Sequence, residues 1–371
     1  MRSGLEELEQ SGELKGWGEA LTLDNLADLL DDCGRHEEAE PLRRATLAAS
    51  ERWYGPGHPA TYRARRDLVS TLRMVDRFAE ARDEAESVEP QLDMDLGELH
   101  NETLRFRALR ALIHADLAEY DEAVALQRRV LAHTADLEGA VHRSTLTFRH
   151  DLGNILRKAG RFVEAKEILR AVLAEECEHL GVEDSLTNAT RYALASVLDS
   201  VDRTDEAIAV CRELLAIEER ILPGNSPETA KTRFRLAGFL AKNGAHEEAA
   251  DHLGKAWTVR CQVTRLDAAE SMSTGHAYGT ALLKADRPRE ALDVMEAVIE
   301  ARSRVLGVAH PATLASRLRH GDVLAALGRW ARARKEWTTV RETAADELGE
   351  EHEIVRTALQ SLQREAKAPG R

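Results

Sequence analysis

Along this chain apolar residues return at helical spacing in short, paired runs. Leu152, Ile155 and Leu156 form one stripe, and Ala165, Ile168, Leu169, Val172 and Leu173 form the next, with polar residues between them. The same pair of stripes recurs with a period of 42 residues. Short phrases of the type Gly-Arg-x-x-Glu-Ala end on Ala39, Ala81, Ala123, Ala165, Ala207, Ala249, Ala291 and Ala333, without insertion or deletion. Two further columns keep this register. One is Thr61, Thr103, Thr145, Thr187, Thr229, Ser271 and Thr313, and the other is Gly55, Gly97, Gly139, Gly181, Gly307 and Gly349. Three columns in step define a tandem repeat.

Each repeat reads as two helices. The turn between them carries Gly34, Asp76, Gly160, Asp202, Gly244, Asp286 or Gly328, residue types that tolerate the left-handed backbone closing a helix. The second helix ends at the glycine column, and the next begins after His58-Pro59, Ser226-Pro227, His310-Pro311 or their equivalents. A small-residue column (Ala27, Val69, Ala111, Gly153, Ala195, Ala237, Gly279 and Gly321) follows a mostly leucine column (Leu26, Leu68, Leu152, Leu194 and Leu236) in each first helix. Together with the alanines of the second helix, it lets neighbouring helices approach closely. A single pair cannot bury its stripe alone, so stacked neighbours must form the core.

The expectation is an all-α fold, an α-α superhelix of eight helix pairs with first helices lining a concave groove and a C-terminal capping helix. The repeats span 17–58, 59–100, 101–142, 143–184, 185–226, 227–268, 269–310 and 311–352. Residues 1–16 form a partial repeat or cap that aligns with the tail of a second helix, which also fits a piece of a longer array. Residues 353–371 supply the capping helix and tail, with Gln363 in place of the small column.

The phrase Leu306-Gly307-Val308-Ala309-His310-Pro311-Ala312-Thr313, continued to Leu327-Gly328-Arg329, resembles the tetratricopeptide repeat of kinesin light chains and their bacterial relatives. The resemblance runs through nearly all of the chain. It implies a tetratricopeptide solenoid that binds peptides or proteins, and it leaves the partner open. Kinesin light chains carry an Asn-Asn pair before the leucine and small columns, whereas this chain has Arg66-Asp67, His150-Asp151, Tyr192-Ala193, Phe234-Arg235 and His276-Ala277. Motor-cargo recognition is therefore not implied.

Charge adds a contrast. The chain carries 65 Asp and Glu against 51 Lys and Arg, a net charge of -14, which opposes nonspecific nucleic-acid binding and RNA reading by a repeat code. In tetratricopeptide folds the groove is lined two, five, nine, twelve and thirteen residues after the threonine column. Those offsets and the residue beside them yield Arg63, Arg66 and Arg73, then Arg105, then His150, Asn154, Arg157 and Lys158. They continue with Tyr192 and Ser196, then Lys231, Phe234, Arg235 and Lys242, and last His276, Thr280 and Lys284. Against these bases stand Asp116 and Asp199, so the expected groove is basic inside an acidic molecule, except in the first repeat with Asp24, Asp28, Asp31 and Asp32. Lys231 and Arg235, two repeats after Asn154, resemble part of the carboxylate clamp of chaperone-binding tetratricopeptide domains. His150 and Ala193 stand where that clamp has Lys and Asn.

An arginine column (Arg65, Arg107, Arg149, Arg191, Arg233 and Arg317) reads as a structural stitch to the neighbouring helix or its carboxylates. Loop histidines His58, His100, His142, His310 and His352 lie in separate repeats, and Cys33, Cys177, Cys211 and Cys261 have no zinc spacing, so neither metal nor cofactor is expected. No nucleotide-binding or hydrolase motif interrupts the period. The chain reads as a non-catalytic, cytoplasmic scaffold or adaptor that binds an acidic peptide or protein segment, without nucleic acid or membrane. The alternative is a regulatory sensor, either a signal-peptide receptor or the repeat arm of a signalling ATPase.

Overall fold

The computed structural model describes residues 17–32 and 35–366. The partial repeat expected at 1–16, the Cys33-Gly34 turn and the tail from 367 lie outside them. All regular structure among the described residues is helical, in 17 helices. They are α1 (Trp17–Asp32), α2 (His36–Tyr54), α3 (Pro59–Met74), α4 (Phe78–Leu96), α5 (Asn101–Asp116), α6 (Tyr120–Glu138), α7 (Arg143–Lys158), α8 (Phe162–His179) and α9 (Ser185–Ser200). The series continues with α10 (Thr204–Ile221), α11 (Pro227–Lys242), α12 (His246–Val263), α13 (Ala269–Lys284), α14 (Pro288–Val305), α15 (Pro311–Ala326), α16 (Trp330–Leu348) and α17 (Glu353–Ala366). Odd-numbered helices are the first helices of the repeats, and even-numbered ones the second. The chain divides within α9 into one compact unit ending at Ala193 and another beginning at Leu194.

Each sequence column has a distinct mechanical task. At Gly55, Gly97, Gly139 and Gly349 the backbone takes φ of 87 to 98° with ψ of 153 to 161°, a region essentially closed to residues with a Cβ. Six residues after Gly55, Gly97, Gly139 and Gly307 stands a buried threonine whose hydroxyl donates to the glycine carbonyl, at 2.7 Å for Thr61 and 2.8 Å for Thr103, Thr145 and Thr313. The loop histidines are N-caps. Nδ1 of His58, His100, His142, His310 and His352 accepts from the backbone N–H two residues later. This explains their period without any metal.

The turn inside each pair closes in the paired 6→1 and 5→2 pattern. Arg161 N–H reaches the Leu156 carbonyl at 2.9 Å, and Gly160 N–H reaches that of Arg157 at 3.1 Å. Here φ stays near +60 to +80°, which Asp76, Asp202, Asp286 and even Ala118 adopt. Five of the six column arginines stitch to carboxylates: Arg107 to Asp93 at 2.7 Å and to Glu89 at 3.1 Å, Arg317 to Glu336 at 2.8 Å, and Arg65, Arg149 and Arg233 to glutamates of adjacent second helices, whereas Arg191 donates to the Val182 carbonyl at 2.8 Å and the Asn188 amide oxygen at 3.0 Å.

Packing rests on the small column. A Cβ on Gly153 would lie 2.5 Å from Leu169, one on Gly279 would lie 2.7 Å from Met295, and one on Gly321 would lie 2.4 Å from Trp337, always a side chain of the partner second helix. The eight alanines of the second-helix column are completely buried. In the first unit, Leu47, Tyr62, Leu68, Leu72, Val88, Leu92, Phe106 and Ile113 form one core from α2 to α5. In the second, Leu314, Leu324, Trp337, Val340 and Val355 do the same from α15 to α17. Gln363 of α17 is exposed, a polar residue where internal repeats keep a small buried one.

Replacing Gly153 or Ala195 with Leu should overpack these contacts and cost about 1–3 kcal/mol. Urea denaturation measures the loss, and unchanged midpoints for both variants would show that the helices do not meet at this column.

Candidate functional site

The leucine and small columns turn one side of every first helix toward the second helices. Positions two, five, nine, twelve and thirteen after the threonine lie on the other side, where consecutive first helices meet one another. In the first unit, α3 places Arg63, Arg66 and Arg73 there, α5 places Arg105, α7 places His150, Asn154, Arg157 and Lys158, and α9 places Tyr192. In the second unit, Ser196 lies on α9, Lys231, Phe234, Arg235 and Lys242 lie on α11, and His276 and Lys284 lie on α13.

The expected excess of open positive charge does not hold in the first unit. Arg66 bonds Glu102 at 2.5 Å and Asp67 at 3.1 Å, and Arg105 lies 3.5 Å from Glu102. Asp116 is nearly buried between Arg73 of the preceding repeat and Lys158 of the following one, and it pairs with both. Asp67 and Asp151 escaped the offset reading because they sit one place off those positions, and Glu102 because it precedes the threonine column. The signal was present as opposite charges 36 or 42 residues apart, which neighbouring first helices bring together. The acidic first repeat has an equally internal purpose. Asp24, Asp28 and Asp31 converge on the buried guanidinium of Arg43 at 2.8, 2.5 and 2.9 Å. Asp32 has no described side chain.

Two histidines are also internal. His150 Nδ1 meets the Thr190 hydroxyl at 2.8 Å and its Nε2 meets the Asn154 amide at 2.8 Å. His276 Nδ1 meets the Ser316 hydroxyl at 3.1 Å. Burial lowers each to a pKa of about 4, helped at His276 by Arg302 and Arg319, so both rings are neutral at pH 7. They tie first helices together across one repeat.

The second unit is different. Lys231 and Lys284 are exposed, Arg235 is half-buried, and Lys242 bonds Asp199 at 2.8 Å. α11 and α13 carry Glu228 and Glu270 at the place Glu102 holds on α5. Phe234 lies under the Arg260 guanidinium, 5.1 Å from ring to charge. Between Phe234 and Lys242 stands Gly238, exposed and with nothing within 4 Å of where a Cβ would be. The result is a basic strip with an aromatic ring and a bare stretch of helix backbone. Among the described residues no group of His, Cys, Asp or Glu is arranged to hold a metal ion, and no helix is long and apolar enough to cross a membrane.

Helix pairs stacked through small residues, with a ligand-sized face on the first helices, define a helical-repeat interaction protein. The Tetratricopeptide repeat family profile matches residues 18–90 and 103–174, and a second profile of the same description matches 150–226 and 277–344. The chain belongs to the tetratricopeptide repeat proteins, with repeats of the kinesin-light-chain-like kind. Curated protein sequences contain no match. Among solved structures, a Podosopora anserina kinesin light chain with nearly identical repeats is 24% identical, with a TM-score of 0.51 over 55% of this chain and 97% of its own. A Rap protein complexed with competence and sporulation factor aligns with 94% of this chain and 98% of its own at 12% identity and a TM-score of 0.54. The signal-transduction ATPase with a tetratricopeptide sensor from Pyrococcus horikoshii aligns with 93% of this chain at 11% identity and a TM-score of 0.63, and this chain spans 53% of it. At these identities the likeness is one of fold.

The buried titrating groups oppose one another. For His150 and His276 the folded pKa lies below the unfolded value of about 6.5, so stability is lost as pH falls from there toward 4. Desolvation pushes Asp151 and Glu176 up to about 7, so these destabilise the fold at neutral pH and recover as pH falls. Asp151→Asn should therefore raise the melting temperature at pH 8 and lose that advantage near pH 4. Replacing both histidines by Gln should shrink the acid loss between pH 6.5 and 4. Melting curves across that range that run parallel to the parent would show that water reaches these groups.

Proposed function

We propose that the chain is a non-catalytic interaction scaffold or adaptor and that the first-helix face of α11 and α13 receives an extended acidic segment of a partner protein. The observation supporting this reading is the gathering of Lys231, Arg235, Lys242 and Lys284 on α11 and α13 beside Phe234 and Gly238, in a molecule of net charge -14. Charge-assisted hydrogen bonds from these side chains suit Asp and Glu or a terminal carboxylate. Phe234 offers a flat apolar surface, and Gly238 lets a peptide backbone approach the helix closely. The first unit, whose bases already hold acids of neighbouring repeats, is the poorer acceptor.

The regulatory alternative draws support from the fold shared with a Rap protein complexed with competence and sporulation factor and with a signal-transduction ATPase that has a tetratricopeptide sensor. It differs in requiring that peptide binding change the shape of the array. Small-angle scattering with and without the bound peptide separates the two, since a scaffold keeps one radius of gyration.

Fluorescence anisotropy of a labelled Asp/Glu-rich peptide tests the binding face. Lys231→Glu, Arg235→Glu and Lys284→Glu together should weaken binding by about tenfold or more, about 1.4 kcal/mol. Gly238→Leu should do likewise while leaving the melting temperature unchanged. Parent affinity should fall with salt, because exposed charges are screened within about 8–10 Å. Equal binding of an Asn/Gln peptide, or undiminished affinity in both variants, would place recognition elsewhere.

A further inference from the structure

The first helix of the third repeat breaks two core columns at once. Seven residues after the threonine column, Leu68, Leu152, Leu194 and Leu236 sit buried in their repeats, and α5 has Arg110 instead. Eleven residues after it, Leu72, Leu156, Leu198 and Leu240 are buried in the same way, and α5 has His114. Arg107, Arg110 and His114 are spaced three and four apart and so share one face of the helix. Where other repeats fill this layer with leucine, a cleft of about 580 Å³ opens between α4, α5 and α6.

Its walls are built of charge. α6 contributes Arg129 and His133, four residues apart, where the next repeat has Ala171 and Glu175. Glu89 of α4 pairs with both Arg107 and Arg110. His114 Nδ1 meets Glu119 at 2.6 Å, and Glu119 itself replaces an arginine column represented by Arg77, Arg161, Arg203 and Arg287. Histidine and partner thus changed together. The Arg110 Nε is buried with no hydrogen-bond partner. Desolvation together with the nearby Arg129 charge disfavours the Arg110 cation. An arginine and a histidine in place of two core leucines cost stability, and a cavity of this size with convergent polar groups is of the dimensions that hold small molecules.

The second unit offers a control. There His320 occupies the position equivalent to Arg110, and a smaller cleft of about 380 Å³ opens at the equivalent place. Leucine returns at Leu324, and the wall carries Glu296, Glu300 and Glu336, so that cleft lacks the cation set.

We propose that the α4–α6 cleft binds a small phosphate ester that also carries hydroxyl groups. Arg129 and the Nε of Arg110 would hold phosphate oxygens, for which the planar guanidinium fork is suited, while Arg107 stays bound to Asp93 and Glu89. Glu98 and Glu122, which also line the cleft, would accept from hydroxyls. A bare anion makes no use of these carboxylates and is repelled by them, so both signs of charge are explained only by a ligand with acceptors and donors. This site is independent of the peptide face on α11 and α13.

Titration calorimetry with ribose 5-phosphate and AMP, against inorganic phosphate and ribose as controls, tests the assignment. At least one ester should bind saturably. The double variant Arg110→Leu, His114→Leu restores the leucines of the repeat, so it should melt higher than the parent and lose affinity by about tenfold or more. Arg129 is exposed, and Arg129→Gln should weaken binding without moving the melting temperature, which decides the matter if the double variant misfolds. The proposal is overturned if neither ester binds at ~10 mM, if inorganic phosphate binds as well as the esters, or if Arg129→Gln binds as the parent does.

Discussion

Everything in this protein depends on how closely the two helices of a repeat can approach. A glycine, alanine or valine on the first helix accepts a large side chain of the second, as Gly153 accepts Leu169, while a fully buried alanine marks the second helix. Such contacts leave no room for an added methylene, and dense packing of this kind transmits any change to the next pair. The 42-residue period follows from that constraint and from two turns of different stringency. The turn within a pair accepts Asp or Ala at its positive φ, but most turns between pairs adopt a backbone that only glycine enters readily. The buried threonine hydroxyl then binds the glycine carbonyl, so loop and helix start are held together by a single contact repeated along the array.

Polar groups do a second kind of work, tying one first helix to the next. Arg66 with Glu102, Asp116 between Arg73 and Lys158, His150 with Thr190, and His276 with Ser316 all bridge consecutive repeats. Their consequence is for recognition, since a base already holding a carboxylate has less to offer a ligand. On α11 and α13, Lys231 and Lys284 are exposed, and Lys242 is paired with Asp199 of the preceding first helix.

A regular repeat also makes its own exceptions conspicuous. Where a column is kept, geometry accounts for the residue; where it is broken, another cause is needed. Arg43 answers to three aspartates, and Trp337 lies over Gly321, so these departures have structural explanations. Arg110, His114 and Glu119 do not fill space. They open it, with guanidiniums and imidazoles around a cleft in the layer that leucine otherwise occupies.

The sequence by itself determined the helix pairs, their period, the turn positions, the arginine stitches and the small column, because each is a local or strictly periodic demand that a single residue type meets. Thr61 and Gly55 are legible for the same reason: their contact spans six residues and recurs. The family resemblance was legible in the same residues. Tertiary structure alone decided which charges remain available. Arg73 and Asp116 are 43 residues apart, and nothing local to either says that stacking will join them. That the loop histidines cap helices through Nδ1 is likewise a matter of backbone geometry that composition does not carry. Burial explains the remainder: whether a base faces water, an acid or a cleft is set by the neighbouring repeat, and so is written in no single stretch of chain.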